Sequence, residues 1–158
     1  MKEDSRPSAF DRATALLAAR PHFAAELRRK LAARGYESEE IDGALARLSS
    51  LGYLDDEALA AAEADRLRER RGLSRSGVAA ELARKGVERG AVAAAVAGVS
   101  PEEELVTARA TAERWLAGRR PDGAALARHL ARKGYAGHVI FRVLKDLKVD
   151  APAGTDVD

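Results

Sequence analysis

Three consecutive acidic residues, Asp55, Asp56 and Glu57, form a potential set of metal ligands in the segment LSSLGYLDDEALA. They follow Gly52, where a helical pattern stops, and precede an alanine-rich stretch. A magnesium or calcium site built from adjacent carboxylates needs further oxygens from elsewhere in the chain, and the sequence indicates no source for them. The alternative is a helix start, because free amides and the positive helix end favour an acidic side chain. We therefore predict that these acids cap a helix and bind no metal.

Other residues with catalytic potential form no recognisable set. The chain has no cysteine, and His22, His129 and His138 show no ligand spacing, so we predict that the histidines are surface residues. The sequence contains no G-x-S-x-G nucleophile motif, phosphate loop or dinucleotide fingerprint. These observations predict a protein without enzymatic activity or cofactor.

The four residues Trp115, Tyr36, Tyr53 and Tyr135 are the aromatic candidates for ligand recognition. Trp115 is equivalent to Leu16 and Leu67 in the repeated pattern described below. Packing in the core is therefore favoured over a platform on which nucleic-acid bases stack. Each tyrosine follows a glycine, which predicts packing over a helix end.

The elements that position these residues recur along the chain. Each of three segments, about 50 residues apart, has an apolar pair four residues apart, then a basic residue and a glycine, then a β-branched residue. The segments are ELRRKLAARGYESEEIDGALARL from Glu26, GVAAELARKGVERGAVAAAVAGV from Gly77, and ALARHLARKGYAGHVIFRVLKDL from Ala125. The apolar pairs are Leu27/Leu31, Val78/Leu82 and Leu126/Leu130, the glycines are Gly35, Gly86 and Gly134, and the β-branched residues are Ile41, Val92 and Ile140.

This pattern is typical of a helical hairpin. Apolar residues at i and i+4 form one face of a helix, and the glycine ends that helix in a left-handed conformation. A second amphipathic helix then follows, with Ser38 as the predicted N-cap in the first segment. A further helix precedes each hairpin, because Ala13, Ala64 and Ala112 are equivalent at the same spacing.

We therefore predict an all-α protein of three tandem three-helix repeats that form an elongated, curved helical array. A core of Leu, Ala and Val suits this fold, because hydrophobic residues make up 46% of the chain and aromatic residues only 4%. The predicted boundaries are a disordered tail over 1–7, repeats over 8–50, 51–99 and 100–149, and a disordered tail over 150–158. No apolar segment approaches the length of a membrane span or a signal-peptide core, which predicts a soluble cytoplasmic protein.

Basic residues recur on the middle helix of the repeats, although the net charge of the chain is only +2. Arg29 and Arg128 are equivalent positions, as are Arg84 and Arg132, and they lie off the predicted core face. Acidic residues concentrate at 37–42, 55–57 and 102–104. One interpretation is an ordinary solvated face with i,i+4 ion pairs; the other is a surface for DNA phosphates or an acidic protein groove. The candidate partner- and DNA-binding residues are Arg28, Arg29, Arg34, Arg66, Arg70, Arg71, Arg75, Arg84, Lys85, Arg119, Arg120, Arg128, Arg132 and Lys133.

The segments ELRRKLAARGYESEEIDGALARLSSLGYLDDEALA, GVAAELARKGV and HLARKGYAGHVIFRVL resemble the bacterial RecX family of recombination regulators, over about residues 8 to 148. The resemblance implies three tandem three-helix units. It also implies binding in the groove of the RecA–DNA filament, which limits recombinase activity, with roles in DNA repair and the SOS response. It implies a non-enzymatic protein, and we expect a monomer that contacts RecA and single- or double-stranded DNA but no membrane. The alternative function is a helical DNA-binding module that acts without a recombinase.

Overall fold

The computed structural model describes residues 6–150, which form nine α-helices and no strand. This confirms the predicted all-α class. The helices, in chain order, are α1 (Ala9–Ala19), α2 (Ala24–Ala32), α3 (Ser38–Ser50), α4 (Asp56–Arg71), α5 (Arg75–Arg84), α6 (Arg89–Val96), α7 (Pro101–Leu116), α8 (Gly123–Arg132) and α9 (Gly137–Asp146). None of these helices is long and apolar enough to cross a membrane.

Polar side chains begin several of these helices. The Ser8 hydroxyl accepts a hydrogen bond from Asp11 N at the start of α1, and Asp122 does the same for Ala125 N at the start of α8. The prediction for Ser38 is wrong by one position. Ser38 is the first residue of α3, and Glu37 at the N-cap makes no side-chain cap bond.

Glycines end the middle helices, as the repeated pattern predicts. Gly35, Gly86 and Gly134 have φ angles of +80°, +83° and +91°, a conformation that favours a residue without a Cβ. At Gly134 the neighbours are also close, because a Cβ there would lie 2.6 Å from Ser74 Oγ and 2.7 Å from Gly77 N.

The chain divides into two compact units. The first unit comprises the described residues up to Ala62 together with Leu82–Ala95. Its core includes Leu27 and Leu31 of α2, which are fully buried, and α1 packs on α3. The Tyr36 hydroxyl donates to Pro7 O over 2.6 Å, so this tyrosine packs as predicted.

The second unit comprises Glu63–Glu81 and the described residues from Val96 onward. Helices α7, α8 and α9 pack against one another around Leu126 and Leu130, which are fully buried. The turn after α8 is tied to the turn after α4, because Ser74 N donates to Lys133 O over 3.0 Å and the Tyr135 hydroxyl donates to Gly72 O over 2.9 Å. These bonds fix the ends of α4 and α8 beside each other.

Most predicted core positions are buried, including Val78 and Leu82. The prediction that Tyr53 packs over a helix end is wrong, because 66% of its surface is exposed. In the predicted tails, residues 1–5 and 151–158 lie outside the described residues. Arg6 and Pro7 are described and form hydrogen bonds with Arg34 and Tyr36, in the turn after α2. The boundaries of the three repeats rest on equivalent positions in the sequence, whereas the two units are defined by compactness. The repeat boundaries therefore stay a prediction.

Candidate partner-binding surface

Two of the three consecutive acidic residues, Asp55 and Asp56, are helix caps, and they cap different helices. Asp55 Oδ1 accepts a hydrogen bond from Ala58 N over 3.0 Å and so caps its own helix, α4. Asp56 Oδ1 instead accepts from Ala24 N, also over 3.0 Å, at the start of α2. Burial raises the pKa of Asp56 despite this bond. The expectation that both aspartates cap α4 is therefore wrong for Asp56, whose partner is another helix.

The same arrangement recurs at the start of α7. Ser100 and Glu103 form a capping box for α7, while Glu104 Oε1 accepts from Arg75 N over 2.9 Å at the start of α5. Ala24 and Arg75 are the first residues of α2 and α5, the middle helices of the first two predicted repeats. Acids in α4 and α7 thus cap a preceding middle helix.

The predicted surface role is wrong for His22, whereas His138 is exposed as predicted and His129 is half-buried. His22 is only 4% exposed; its Nδ1 donates to Arg20 O over 2.8 Å, and its Nε2 accepts from Lys30 Nζ over 2.9 Å. Within residues 6–150, no three His, Asp or Glu side chains lie together as metal ligands would.

Helix α8 presents arginines opposite its core residues. Leu126 and Leu130 are fully buried, whereas Arg128 and Arg132 are exposed. Positions two residues apart on an α-helix are rotated by about 200° around its axis, so these arginines project from the side opposite the leucines. We call Arg128 and Arg132 the basic face of α8.

Helix α2 also exposes basic residues, but one of them is paired. Arg28 forms an ion pair with Asp42 of α3 over 2.5 Å, whereas Arg29 is exposed on the same helix. The side chain of Arg34 is exposed, and its carbonyl accepts from Arg6 Nη2 over 2.7 Å.

The candidates on α4 and α5 are engaged to different degrees. Arg66 donates from Nε and Nη2 to Glu63, over 2.8 and 2.6 Å, so much of its charge is compensated locally. Arg75 and Arg84 are exposed on α5, and Lys85, directly after α5, is half-buried.

The structure brings three of the candidates together with four other residues in the second unit. They line a shallow cavity of about 260 Å³, which we call the cationic depression. Its lining residues are Arg70, Arg71, Thr111, Arg114, Trp115, His129 and Lys133.

Hydrogen bonds to the end of α4 position two of these cations. Lys133 Nζ donates to Arg71 O over 2.5 Å. Arg114 donates from Nη1 to Glu69 O over 3.2 Å and from Nη2 to Thr111 Oγ1 over 3.4 Å. The carbonyls at a helix C-terminus attract cations, which explains why the side chains converge there.

An aromatic pair forms one wall of the depression. The rings of Trp115 and His129 stack with their centroids 5.6 Å apart, and the Arg119 guanidinium lies 4.9 Å from the Trp115 centroid. Trp115 packs partly against the core of the unit, as predicted, and is only half-buried. Arg120 is exposed.

Burial and neighbouring positive charges lower the pKa of two groups in this region. Burial, followed by the charges of Arg71 and Arg114, lowers the pKa of Lys133. Burial, followed by the charges of Lys133, Arg132 and Arg119, lowers the pKa of His129. The depression is therefore a place of concentrated positive potential.

Sequence reasoning missed Thr111, Arg114 and His129 as members of one cluster. Arg114 directly precedes Trp115, and its position on α7 carries no motif. Its proximity to Lys133 follows only from the packing of α7 and α8 beside the end of α4.

Comparisons with known proteins identify relatives of the chain. A family model described as the first three-helix domain of RecX matches residues 9–48. Regulatory protein RecX of Thermobifida fusca (strain YX) is 36% identical over 148 residues, which cover 90% of this chain and 79% of the relative. Regulatory protein RecX of Deinococcus radiodurans is 32% identical over 154 residues, which cover 92% of this chain and 71% of the relative.

Solved structures share the fold. The crystal structure of RecX from Lactobacillus salivarius aligns with a TM-score of 0.77 at 15% identity, covering 89% of this chain and 94% of that chain. A second crystal structure, of a regulatory protein RecX, aligns with a TM-score of 0.78 at 20% identity, covering 87% and 71%.

Proposed function

The chain belongs to the RecX family of regulatory proteins, and we propose that it binds along the RecA–DNA filament and limits recombinase activity. It acts without catalysis, by occupying the filament groove as a monomer in the cytoplasm. Homologous recombination and DNA repair are the processes that it regulates.

The observation that carries this proposal is the basic face of α8. Arg128 and Arg132 are exposed on the side of the helix opposite Leu126 and Leu130. A helix that is anchored by buried leucines holds the backbone positions of these arginines one helical turn apart. Such an array suits a surface with regularly spaced negative charge, such as a DNA backbone or an acidic groove of a filament.

Helix α2 of the first unit supports the same interpretation. Arg29 is the sequence equivalent of Arg128 and is likewise exposed. Arg28 is paired with Asp42, so Arg29 is the stronger candidate of the two for contact with a partner. Each compact unit thus offers an exposed arginine at the corresponding position of a middle helix.

The test is a titration of RecA-catalysed ATP hydrolysis and DNA strand exchange with this protein. We expect inhibition by the wild-type chain. The double variant R128E/R132E should need about tenfold more protein for the same inhibition, equivalent to ~1.4 kcal/mol of binding.

The matched control is R109E/R142E. It reverses two exposed arginines of the same unit, each of which pairs within its own helix, with Glu113 and Asp146 respectively. Circular dichroism checks that both double variants keep their helicity. Equal inhibition by R128E/R132E and the wild type would refute a role for the basic face of α8.

A measurement of DNA binding without recombinase distinguishes the proposed function from the alternative function. A module that acts without recombinase binds DNA with strong salt dependence and leaves RecA activity unchanged at subsaturating protein. That combination of results would replace the proposed function with the alternative.

A further inference from the structure

The lining of the cationic depression carries several positive charges and no negative charge. Arg70, Arg71, Arg114 and Lys133 all line it, and none of its seven lining residues is acidic. Arg71 also pairs with Glu81 over 3.3 Å. The excess of cations over acids at one small cavity of about 260 Å³ favours an anionic ligand.

Two of the cations, Arg114 and Lys133, are held in place by hydrogen bonds within the protein. Lys133 uses one donor on Arg71 O, and Arg114 uses two on Glu69 O and Thr111 Oγ1. An ammonium group has three donors and a guanidinium five, so each side chain keeps donors for a ligand. Anchored donors lose little conformational entropy when an anion binds.

The positive charges of these groups also repel one another. The Arg71 and Arg114 charges add to burial in lowering the pKa of Lys133. An anion among these groups relieves that repulsion. A phosphate group suits them, because arginine binds phosphate oxygens in bidentate fashion and lysine adds a point charge.

We propose that the cationic depression binds a phosphate of the DNA backbone through Arg70, Arg71, Arg114 and Lys133. The choice of DNA as the source of the phosphate rests on the proposed function, since a filament binder lies beside DNA. The shared chemistry is the phosphate group, and a free inorganic phosphate is the other possible source.

Trp115 allows binding at this site to be observed directly. It is the only tryptophan of the chain and lines the depression, in contact with His129. Purified full-length protein is titrated with single-stranded oligothymidylate without recombinase, while Trp115 fluorescence and the anisotropy of a labelled oligonucleotide are recorded. We expect a saturable change in both signals with the same Kd.

Two single variants test the residues. R114Q and R70Q should each raise Kd by about five- to tenfold. Each should also weaken the salt dependence, so that the negative slope of log K against log salt is smaller in magnitude by about 0.7. The control R109Q removes one arginine from the same helix as Arg114 but outside the depression, and it should leave the fluorescence titration unchanged. Because Arg70 makes no anchoring bond comparable to those of Arg114, R70Q tests charge with less risk to the fold.

Parallel titrations distinguish the ligand sources. Inorganic phosphate should compete only weakly with the oligonucleotide, and a poly-glutamate peptide should not change Trp115 fluorescence. The proposal is overturned if the wild type does not bind the oligonucleotide, if R114Q and R70Q both bind it as the wild type does, or if phosphate or the peptide matches its affinity.

The RecA inhibition titration is a separate measurement. If the wild type inhibits RecA but does not bind the oligonucleotide, the proposed function stands and the phosphate site fails. If oligonucleotide binding depends on Arg114 but RecA is not inhibited, the phosphate site stands and the proposed function fails.

Discussion

Replacing Asp56 with alanine tests the cap that joins two helices. Asp56 is the first residue of α4, yet its Oδ1 accepts the hydrogen bond of Ala24 N at the start of α2. Phe23, the N-cap of α2, provides no side-chain cap. Asp56 therefore supplies, from another helix, the acceptor that an N-cap side chain ordinarily supplies.

The expected loss follows from this geometry. D56A removes an acceptor from a half-buried amide at a helix start, which costs about 1–2 kcal/mol of the free energy of unfolding. D56N keeps an oxygen acceptor and removes a charge whose burial is unfavourable, so its cost should be under about 1 kcal/mol. D55A removes the cap of α4 only, at about 1 kcal/mol.

The assay combines urea unfolding with amide hydrogen exchange resolved by NMR. D56A should accelerate exchange at Ala24, in the first turn of α2, while D55A should accelerate it at Ala58, in the first turn of α4. Exchange that stays at the wild-type rate at Ala24 in D56A would refute the cap between the helices, whatever the global loss of stability.

The raised pKa of Asp56 predicts the direction in which the stability of the protein changes with pH. Burial raises the pKa of Asp56 in the folded state, so the folded protein binds this proton more tightly than the unfolded chain. Relative to D56N, the wild type should lose stability as pH rises from below the ordinary value of 3.8 through the folded pKa. The opposite trend would mean that the Ala24 bond outweighs desolvation.

Two further predictions concern the turns of the second unit. Burial raises the pKa of Tyr135 to about 12, so its contribution to stability is complete below pH 10 and is lost as pH rises through 12. Y135F should cost about 1 kcal/mol at neutral pH and abolish the highest tyrosinate step in absorbance at 295 nm; a step near 12 that persists in Y135F would contradict the assignment. G134A should cost more than about 2 kcal/mol, from its positive φ and the close Ser74 and Gly77 atoms. The control G52A has a similar φ of +77° but no neighbour within 4 Å and should cost about 1 kcal/mol in thermal unfolding; equal losses would refute the packing contribution.

The candidate site was only partly predictable. Exposed arginines such as Arg128 and Arg132 follow from helical periodicity, because residues two positions from a buried leucine face away from the core. Whether such an arginine is paired depends on a neighbouring helix, as Arg28 and Asp42 show. The sequence therefore predicted which side chains are exposed on α8 but not which cations share a cavity.

The sequence by itself determined the local features of this protein. The apolar pairs at i and i+4 and the glycines at the ends of the middle helices specify the helices and their buried faces, because both signals act within a few residues. Only the tertiary structure decided the partners of Asp56, Glu104 and Lys133, which lie 32, 29 and 62 residues away along the chain. Those contacts depend on how helices pack, and the packing reflects many small side-chain contacts with no short sequence signature. For this reason the run of three acids predicts a single helix start from the local sequence, while in the folded protein Asp56 caps a different helix, α2.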